Sequence, residues 1–213
     1  MPVIGLGTWR AFDVGADEAA GRPLREVLQR LFDAGGRIID TSPMYGRAEA
    51  VTGDLLAATG ARPRSFLGTK VWTTGRERGI AQMRRSAQLL RREVIDLIQI
   101  HNLVDWRTHL ATLRRMKEEG RVRYIGITHY TTGALPELAR ILRGEPGIDF
   151  VQWGIRWRRE RRKPSCCRRP PSAASRSSPT SHWNEAICSA VFAGMRYPTG
   201  RANSTVPAGS SCS

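Results

Sequence analysis

Short apolar runs recur about every 30 residues along the first 152 positions of this chain. They begin near Val3, Ile38, Phe66, Ile95, Tyr124 and Phe150. Between them, apolar residues repeat three and four positions apart, which is the period of an amphipathic helix. This alternation predicts six strands and five intervening helices, arranged as a parallel sheet wound with helices.

Glycines mark the expected ends of the helices. The apolar face that includes Leu28 and Leu31 stops at Gly35, and later helical patterns stop before Gly60 and Gly120. Glycine ends helices because it readily adopts a left-handed backbone conformation. These positions therefore support the predicted alternation of strands and helices.

The periodic pattern stops at Trp153. Beyond it, Arg, Ser, Pro and Cys crowd together, and Ile, Leu and Val nearly vanish. Such a segment cannot bury enough apolar area to offset the entropy lost on ordering. We therefore divide the chain into a folded part, residues 1–154, and a low-complexity Arg/Ser/Pro/Cys-rich tail, residues 155–213, which we predict to be disordered.

Charge is distributed unevenly between the two parts. The 213 residues carry a net charge of +15; residues 1–152 hold 23 basic and 17 acidic side chains, whereas residues 153–213 hold 11 and 2. An Arg-rich segment with interleaved Trp can neutralise phosphates and stack bases, so a nucleic-acid-binding arm is one interpretation of the tail. Reading GC-rich DNA in a wrong frame produces the same composition, and we therefore expect no nucleic-acid partner.

The cysteines and the apolar runs exclude other classes. All four cysteines lie in the tail, so the folded part says little about redox compartment; the adjacent Cys166 and Cys167 lack the two-residue spacing of a zinc knuckle, and we predict no metal site. No apolar stretch approaches the roughly 20 residues of a membrane span. The start at Met1 leaves no room for a signal peptide, which predicts a cytoplasmic protein.

Four residues suited to proton transfer follow successive apolar runs: Asp40 and Tyr45, then Lys70, then His101. In a barrel of parallel strands, the chemistry lies at the carboxyl ends of the strands. A buried Lys ammonium beside a phenol stabilises the phenolate and lowers the phenol pKa. Singly, each residue is more often a cap, a solvated charge or a satisfied polar group, but their order along successive strand ends favours a catalytic group.

The segments around these residues resemble the aldo-keto reductase family over about the first 154 residues, and several motifs in the family's order are more specific than any one alone. The matching segments are Ile4-Gly5-Leu6-Gly7-Thr8-Trp9, Ile39-Asp40-Thr41-Ser42-Pro43-Met44-Tyr45-Gly46, Gly68-Thr69-Lys70-Val71, Asp96-Leu97-Ile98-Gln99-Ile100-His101, Tyr124-Ile125-Gly126-Ile127-Thr128 and Phe150-Val151-Gln152. The resemblance implies an α/β fold, a TIM-type (β/α)8 barrel. It is incomplete here, because eight units usually need about 250 residues and about six are readable.

The resemblance also implies a reaction, the reduction of small-molecule aldehydes or ketones to alcohols by NADPH, with NADH as the alternative cofactor. Tyr45 would give its proton to the carbonyl oxygen. Lys70 would lower the pKa of Tyr45, Asp40 would hold Lys70 as an ammonium, and His101 would point an imidazole N–H at the same oxygen.

Cofactor contacts carry over less completely. The resemblance places Gly7-Thr8-Trp9 against the nicotinamide ribose, and Asp40 beside the cofactor. Thr128 and His129 stand where the family often has a Ser-Asn pair on the carboxamide, and Gln152 matches a carboxamide-binding Gln. The family's ring-stacking aromatic and its late phosphate-binding loop have no counterpart after residue 154.

A lost nucleotide would explain the missing units. If one thymine is restored after the Gly154 codon and synonymous codons are chosen freely, the frame can read Tyr-Ser-Leu-Ala-Glu-Arg-Glu-Ala-Glu, which is how the family continues. We therefore hypothesise that the tail is out of frame and the product truncated. A non-catalytic nucleotide-sensing or interaction protein on the same fold is the alternative, and the retention of all four candidate residues argues against it. The sequence indicates neither the oligomeric state nor the particular substrate.

Overall fold

The computed structural model describes residues 5–15, 17–155 and 188–193. Its strands are β1 (Gly5–Gly7), β2 (Ile38–Asp40), β3 (Phe66–Val71), β4 (Ile95–His101), β5 (Val122–His129), β6 (Phe150–Ile155) and β7 (Cys188–Ala193). Its helices are α1 (Glu18–Asp33), α2 (Ala48–Ala58), α3 (Arg76–Leu89), α4 (Trp106–Glu118) and α5 (Leu135–Gly144).

Strands β1 to β6 form one parallel sheet in chain order, and a helix connects each strand to the next. The register places Asp40 beside Gly7 on one side and Gly68 on the other, and Lys70 beside Gln99. The six strands curl into half of a barrel, which confirms the predicted incomplete (β/α)8 fold.

The main core lies between the sheet and the helices. Alternate residues of each strand point to this side, because side chains alternate between the two faces of a sheet. The strands contribute Ile39, Leu67, Val71, Ile98, Ile100, Ile125 and Ile127, and the helices contribute Leu28, Phe32, Leu55, Leu56, Met83, Leu110, Leu113, Leu138 and Ile141. Each fully buried aliphatic side chain stabilises the fold by roughly 1.5–3 kcal/mol.

The helix ends follow local sequence signals. The Asp17 carboxylate caps α1 by accepting a hydrogen bond from the Ala20 backbone N–H at 2.8 Å. Gly35, Gly60 and Gly120 take φ values of 78°, 63° and 71° just beyond α1, α2 and α4. A residue with a side chain would be strained in this left-handed region, which is why the predicted glycine stops are the observed ones.

The concave face of the half-barrel carries a layer of aromatic rings below the strand ends. The ring centroids of Tyr124 and Phe150 lie 5.4 Å apart, and Phe66 lies 5.9 and 6.0 Å from the two. Phe66 lies four residues before Lys70 on the same strand, so both face inward. Tyr124 is nevertheless 40% exposed, because no strand of the described chain closes the barrel over this layer.

The seventh strand lies within the tail, for which the sequence predicts disorder. Residues Cys188–Ala193 pair antiparallel with β6, with Phe150 opposite Ala193 and Ile155 opposite Cys188. An open sheet edge has unpaired backbone donors and acceptors that can pair with any extended segment, whatever its hydrophobic period. The rest of the predicted disordered tail, residues 156–187 and 194–213, lies outside the described residues, and so do its candidate nucleic-acid arm and its cysteine pair.

We expect the 213-residue chain to bind a hydrophobic dye such as ANS and to unfold over a broad temperature range. The half-open aromatic layer and the free edge of β1 leave apolar surface and backbone groups that closure of a barrel would cover. Dye fluorescence and thermal melting followed by circular dichroism measure both properties, and a frame-restored chain is the control. A sharp transition of the 213-residue monomer without dye binding would contradict the expectation.

Candidate active site

A buried lysine lies at the centre of the candidate site. Lys70 is 2% exposed, and its Nζ donates hydrogen bonds to both carboxylate oxygens of Asp40, at 2.9 and 2.8 Å, and to the Thr41 carbonyl oxygen at 2.8 Å. An ammonium has three donors, and all three are used here. A buried charge is tolerated only when it is paired and hydrogen-bonded, and this geometry meets both conditions for Lys70.

Two buried amides complete the surroundings of Asp40. Gln99 Nε2 donates to Asp40 Oδ1 at 3.2 Å and to Gln152 Oε1 at 3.1 Å, and Gln152 Nε2 donates to Asp40 Oδ2 at 3.3 Å. Sequence reasoning selected Gln152 but missed Gln99. The available signal was a polar residue between two isoleucines, Ile98 and Ile100, in a strand that is buried on both faces.

Tyr45 lies beside the lysine, in the loop between β2 and α2. Lys70 Nζ is 5.2 Å from the centroid of the Tyr45 ring. Burial, the largest influence, raises the pKa of Tyr45 above its usual value, whereas Lys70 opposes the rise and Asp40 adds to it. Lys70 acts in the predicted direction, but the pKa of Tyr45 is raised overall, because desolvation of the phenolate outweighs the attraction of the ammonium.

His101 ends β4 and faces the same region. Burial, followed by repulsion from Lys70, lowers the pKa of His101 to about 4. Its ring centroid is 6.5 Å from that of Trp72. A histidine with this pKa is neutral at physiological pH and carries a single N–H.

We expect the imidazole of His101 to titrate near pH 4 in the folded chain. Its pKa is depressed in the folded state, so between pH 6.5 and about 4 the unfolded chain takes up a proton that the folded chain does not. The free energy of unfolding therefore falls as the pH drops through this window, and His101 causes no further loss below about pH 4. NMR titration of the histidine signals measures the midpoint, and the spectrum of His101→Gln assigns the signal. A midpoint near 6.5 would contradict the burial that the fold gives this ring.

The remaining candidate cofactor residues occupy different surroundings. Thr8, fully buried after β1, donates through Oγ1 to the Asp40 carbonyl oxygen at 3.2 Å, and Trp9 beside it is 41% exposed. Thr128 is 7% exposed at the end of β5. Both loops therefore lie at the carboxyl edge of the sheet, as the sequence predicted, and Gly7 pairs directly with Asp40.

His129 is engaged locally. Its Nδ1 accepts a hydrogen bond from the Thr131 backbone N–H at 3.2 Å and lies 3.1 Å from Thr131 Oγ1. Its ring stacks on Tyr130, with centroids 5.5 Å apart. The structure thus brings Asp40 and Gln152 into one hydrogen-bonded cluster with Lys70, whereas His129 faces its own loop.

Buried polar atoms without protein partners are concentrated at this edge. Among the described residues they include Thr41 Oγ1, Ser42 Oγ, Gln99 Oε1, His101 Nδ1 and Asn102 Oδ1, all at or near the ends of β2 and β4. Buried polar groups usually have partners, so such a cluster is typical of a site that takes a polar ligand.

The described part of the chain is a parallel strand–helix half-barrel that carries a lysine–carboxylate pair and a phenol at its carboxyl edge. This arrangement defines a (β/α)-barrel protein with a candidate site at the strand ends. A sequence model described as the aldo/keto reductase family matches residues 3–166. The chain belongs to the aldo/keto reductase family, and the family's match extends 12 residues beyond the 154 that the sequence motifs delimit.

Related proteins agree with this assignment. The chain is 33% identical over 160 residues to the 9,11-endoperoxide prostaglandin H2 reductase of Trypanosoma cruzi, covering 71% of this chain and 53% of that protein. It is 31% identical over 152 residues to the methylglyoxal reductase DkgA of Yersinia pestis, covering 70% and 50%. The chain spans about half the length of these curated relatives.

A solved structure gives the same fold. The aldo-keto reductase from Klebsiella pneumoniae, in complex with NADPH, superposes with a TM-score of 0.56 at 27% identity, over 65% of this chain and 49% of that one. In the residues that the structure describes, no helix is long and apolar enough to cross a membrane. The same residues contain no group of three or more His, Cys, Asp or Glu side chains that could hold a metal ion.

Proposed function

We propose that this chain carries the proton-transfer part of an NADPH-dependent reductase that converts small aldehydes or ketones to alcohols. The observation that supports this most strongly is the buried Lys70, held by Asp40 and lying 5.2 Å from the ring centre of Tyr45. A proton donor needs a cation in its neighbourhood, because the phenolate left behind by proton transfer requires a nearby positive charge.

Tyr45 gives its phenolic proton to the carbonyl oxygen as the alcohol forms. Its raised pKa keeps the proton on the phenol at neutral pH, so the donor is present in the form that the reduction needs. Lys70 then stabilises the phenolate, and Asp40 prevents Lys70 from losing its charge or leaving the site. His101, neutral at this pH, donates one N–H to the same carbonyl oxygen and does not compete as an acid.

The residues at the carboxyl edge would hold the nicotinamide end of NADPH, which supplies the hydride when bound. Thr128 and Gln152 offer a hydroxyl and an amide for the carboxamide, and the loop Gly7-Thr8-Trp9 offers a surface for the ribose. We propose NADPH rather than NADH because the related structure from K. pneumoniae contains NADPH.

A small 2-oxoaldehyde is the proposed substrate. The relative from Y. pestis is a methylglyoxal reductase, and Trp9 and Trp72, 41% and 43% exposed, flank the site with apolar surface.

The experiment follows NADPH consumption with methylglyoxal, for the 213-residue chain and for a chain whose frame is restored after codon 154. Turnover by the restored chain, with alcohol as the product, is the expected result. NADPH binding without turnover in the restored chain would instead favour the nucleotide-sensing alternative.

A further inference from the structure

Glu49 is a buried carboxylate that takes no direct part in the proposed proton transfer. It lies in the first turn of α2, four residues after Tyr45, and is 2% exposed. Carboxylates are almost never this buried unless they are paired or hydrogen-bonded. Its partners therefore indicate what the burial achieves.

Those partners are two hydroxyls on two other elements. Thr69 Oγ1, on β3, donates to Glu49 Oε1 at 2.6 Å, and Ser86 Oγ, on α3, donates to Oε2 at 3.1 Å. Thr69 and Ser86 are both fully buried. The charged groups that face Glu49 are Lys70 on β3 and Arg85 on α3. One carboxylate thus ties α2 to β3 and to α3.

Both ends of this connection adjoin the candidate site. Thr69 immediately precedes Lys70 in β3. On the other side, the Tyr45 carbonyl oxygen accepts a hydrogen bond from the Ala48 backbone N–H at 3.0 Å, which joins the loop of Tyr45 to the first turn of α2. The distance between Lys70 Nζ and the Tyr45 ring therefore depends on how α2 is fixed against β3.

We propose that Glu49 is a positioning residue, which through Thr69 and Ser86 fixes the start of α2 against β3 and so keeps Tyr45 beside Lys70. The inference rests on the proposed role of Tyr45 as proton donor. It gives a function to a buried acid that the reaction does not consume, and it predicts that geometry, rather than the charge of Glu49, is what matters.

The test measures the pH midpoint at which Tyr45 ionises in the full 213-residue chain. Tyrosinate absorbance monitors the ionisation, and the difference from the titration of Tyr45→Phe gives the contribution of Tyr45. Lys70→Met calibrates the measurement: loss of the ammonium should raise the Tyr45 midpoint by about one pH unit. Glu49→Ala should raise it by about half as much, because the phenol moves away from the ammonium. Loss of the negative charge of Glu49 alone would lower the midpoint, since tyrosinate is itself an anion.

Two variants separate positioning from other effects. Glu49→Gln also lacks the charge but keeps both bonds, since its carbonyl accepts from Thr69 and its amide donates to Ser86, and it should not raise the midpoint. Thr52→Ala is the matched packing control, because Thr52 is a fully buried residue of α2 whose hydroxyl has no hydrogen-bond partner among the described residues. In Thr52→Ala, the midpoint of Tyr45 should equal that of the wild type.

The proposal is overturned if the midpoint of Tyr45 in folded Glu49→Ala equals that of the wild type. It is also overturned if the midpoint in Glu49→Gln or in Thr52→Ala rises as much as it does in Glu49→Ala. If Glu49→Ala does not fold, Thr69→Val and Ser86→Ala decide: each should raise the midpoint by a smaller amount, and unchanged midpoints in both overturn the proposal. The titration needs neither cofactor nor substrate. An inactive restored chain would therefore overturn the proposed function and leave this test intact.

Discussion

Replacing Tyr45 with Phe should lower the turnover of a frame-restored chain about 10²- to 10⁴-fold, the usual contribution of a positioned proton donor. The phenylalanine ring keeps the packing beside Lys70 and removes only the hydroxyl. Affinity for NADPH should change little, because the phenol acts on the carbonyl oxygen. Steady-state kinetics together with fluorescence titration of NADPH separate the two effects.

Tyr124→Phe is the matched control. It makes the same chemical change in the aromatic layer below the site, where the Tyr124 ring packs against Phe66 and Phe150, and it should leave turnover nearly unchanged. If Tyr45→Phe kept most of the carbonyl reduction, Tyr45 would not be the proton donor. Equal losses in the two variants would indicate a general effect of losing a tyrosine hydroxyl.

The 213-residue chain should bind NADPH weakly and reduce carbonyls slowly or not at all, and restoring one nucleotide near codon 155 should recover both. Hydride transfer needs the nicotinamide within about 3–3.5 Å of the carbonyl carbon, and orientation of that kind is worth roughly 7–11 kcal/mol of barrier. Phosphate-binding loops in barrels of this class commonly follow strands seven and eight. The described strands include six of the parallel kind, and the seventh runs antiparallel.

Fluorescence titration with NADPH, run on both chains, measures the affinity directly. Tyr45→Phe in the restored chain is a useful reference, because it should bind the cofactor normally and still be inactive. Equal affinity of the two unmutated chains would mean that residues 1–154 suffice to bind the cofactor. The hypothesis that the tail replaces a cofactor-binding part of the barrel would then be wrong. Sequencing the gene around codon 154 tests the frame itself, and an unbroken frame with no barrel-like alternative would end that hypothesis.

The sequence predicted the alternation of strands and helices and the helix ends, because both depend on local patterns, and its family resemblance predicted the barrel. Asp40 and Lys70 follow apolar runs, and parallel strands bring their carboxyl ends to one edge. The hydrogen bonds between the two residues then follow from neighbouring strands in register. Gln99 and Glu49 were missed because a polar residue in a mostly buried strand or helix does not reveal which distant groups it will contact.

The chain by itself determined an aldo/keto reductase half-barrel and the residues that carry its proposed chemistry. The tertiary structure decided the quantities that depend on burial and on distant neighbours. The net pKa of Tyr45 rises because desolvation outweighs a nearby ammonium, and neither the depth of burial nor the 5.2 Å separation can be read from spacing along the chain. The tertiary structure likewise determines the pairing of Cys188–Ala193 with β6, because this pairing depends on an open backbone edge and not on a hydrophobic period in the sequence.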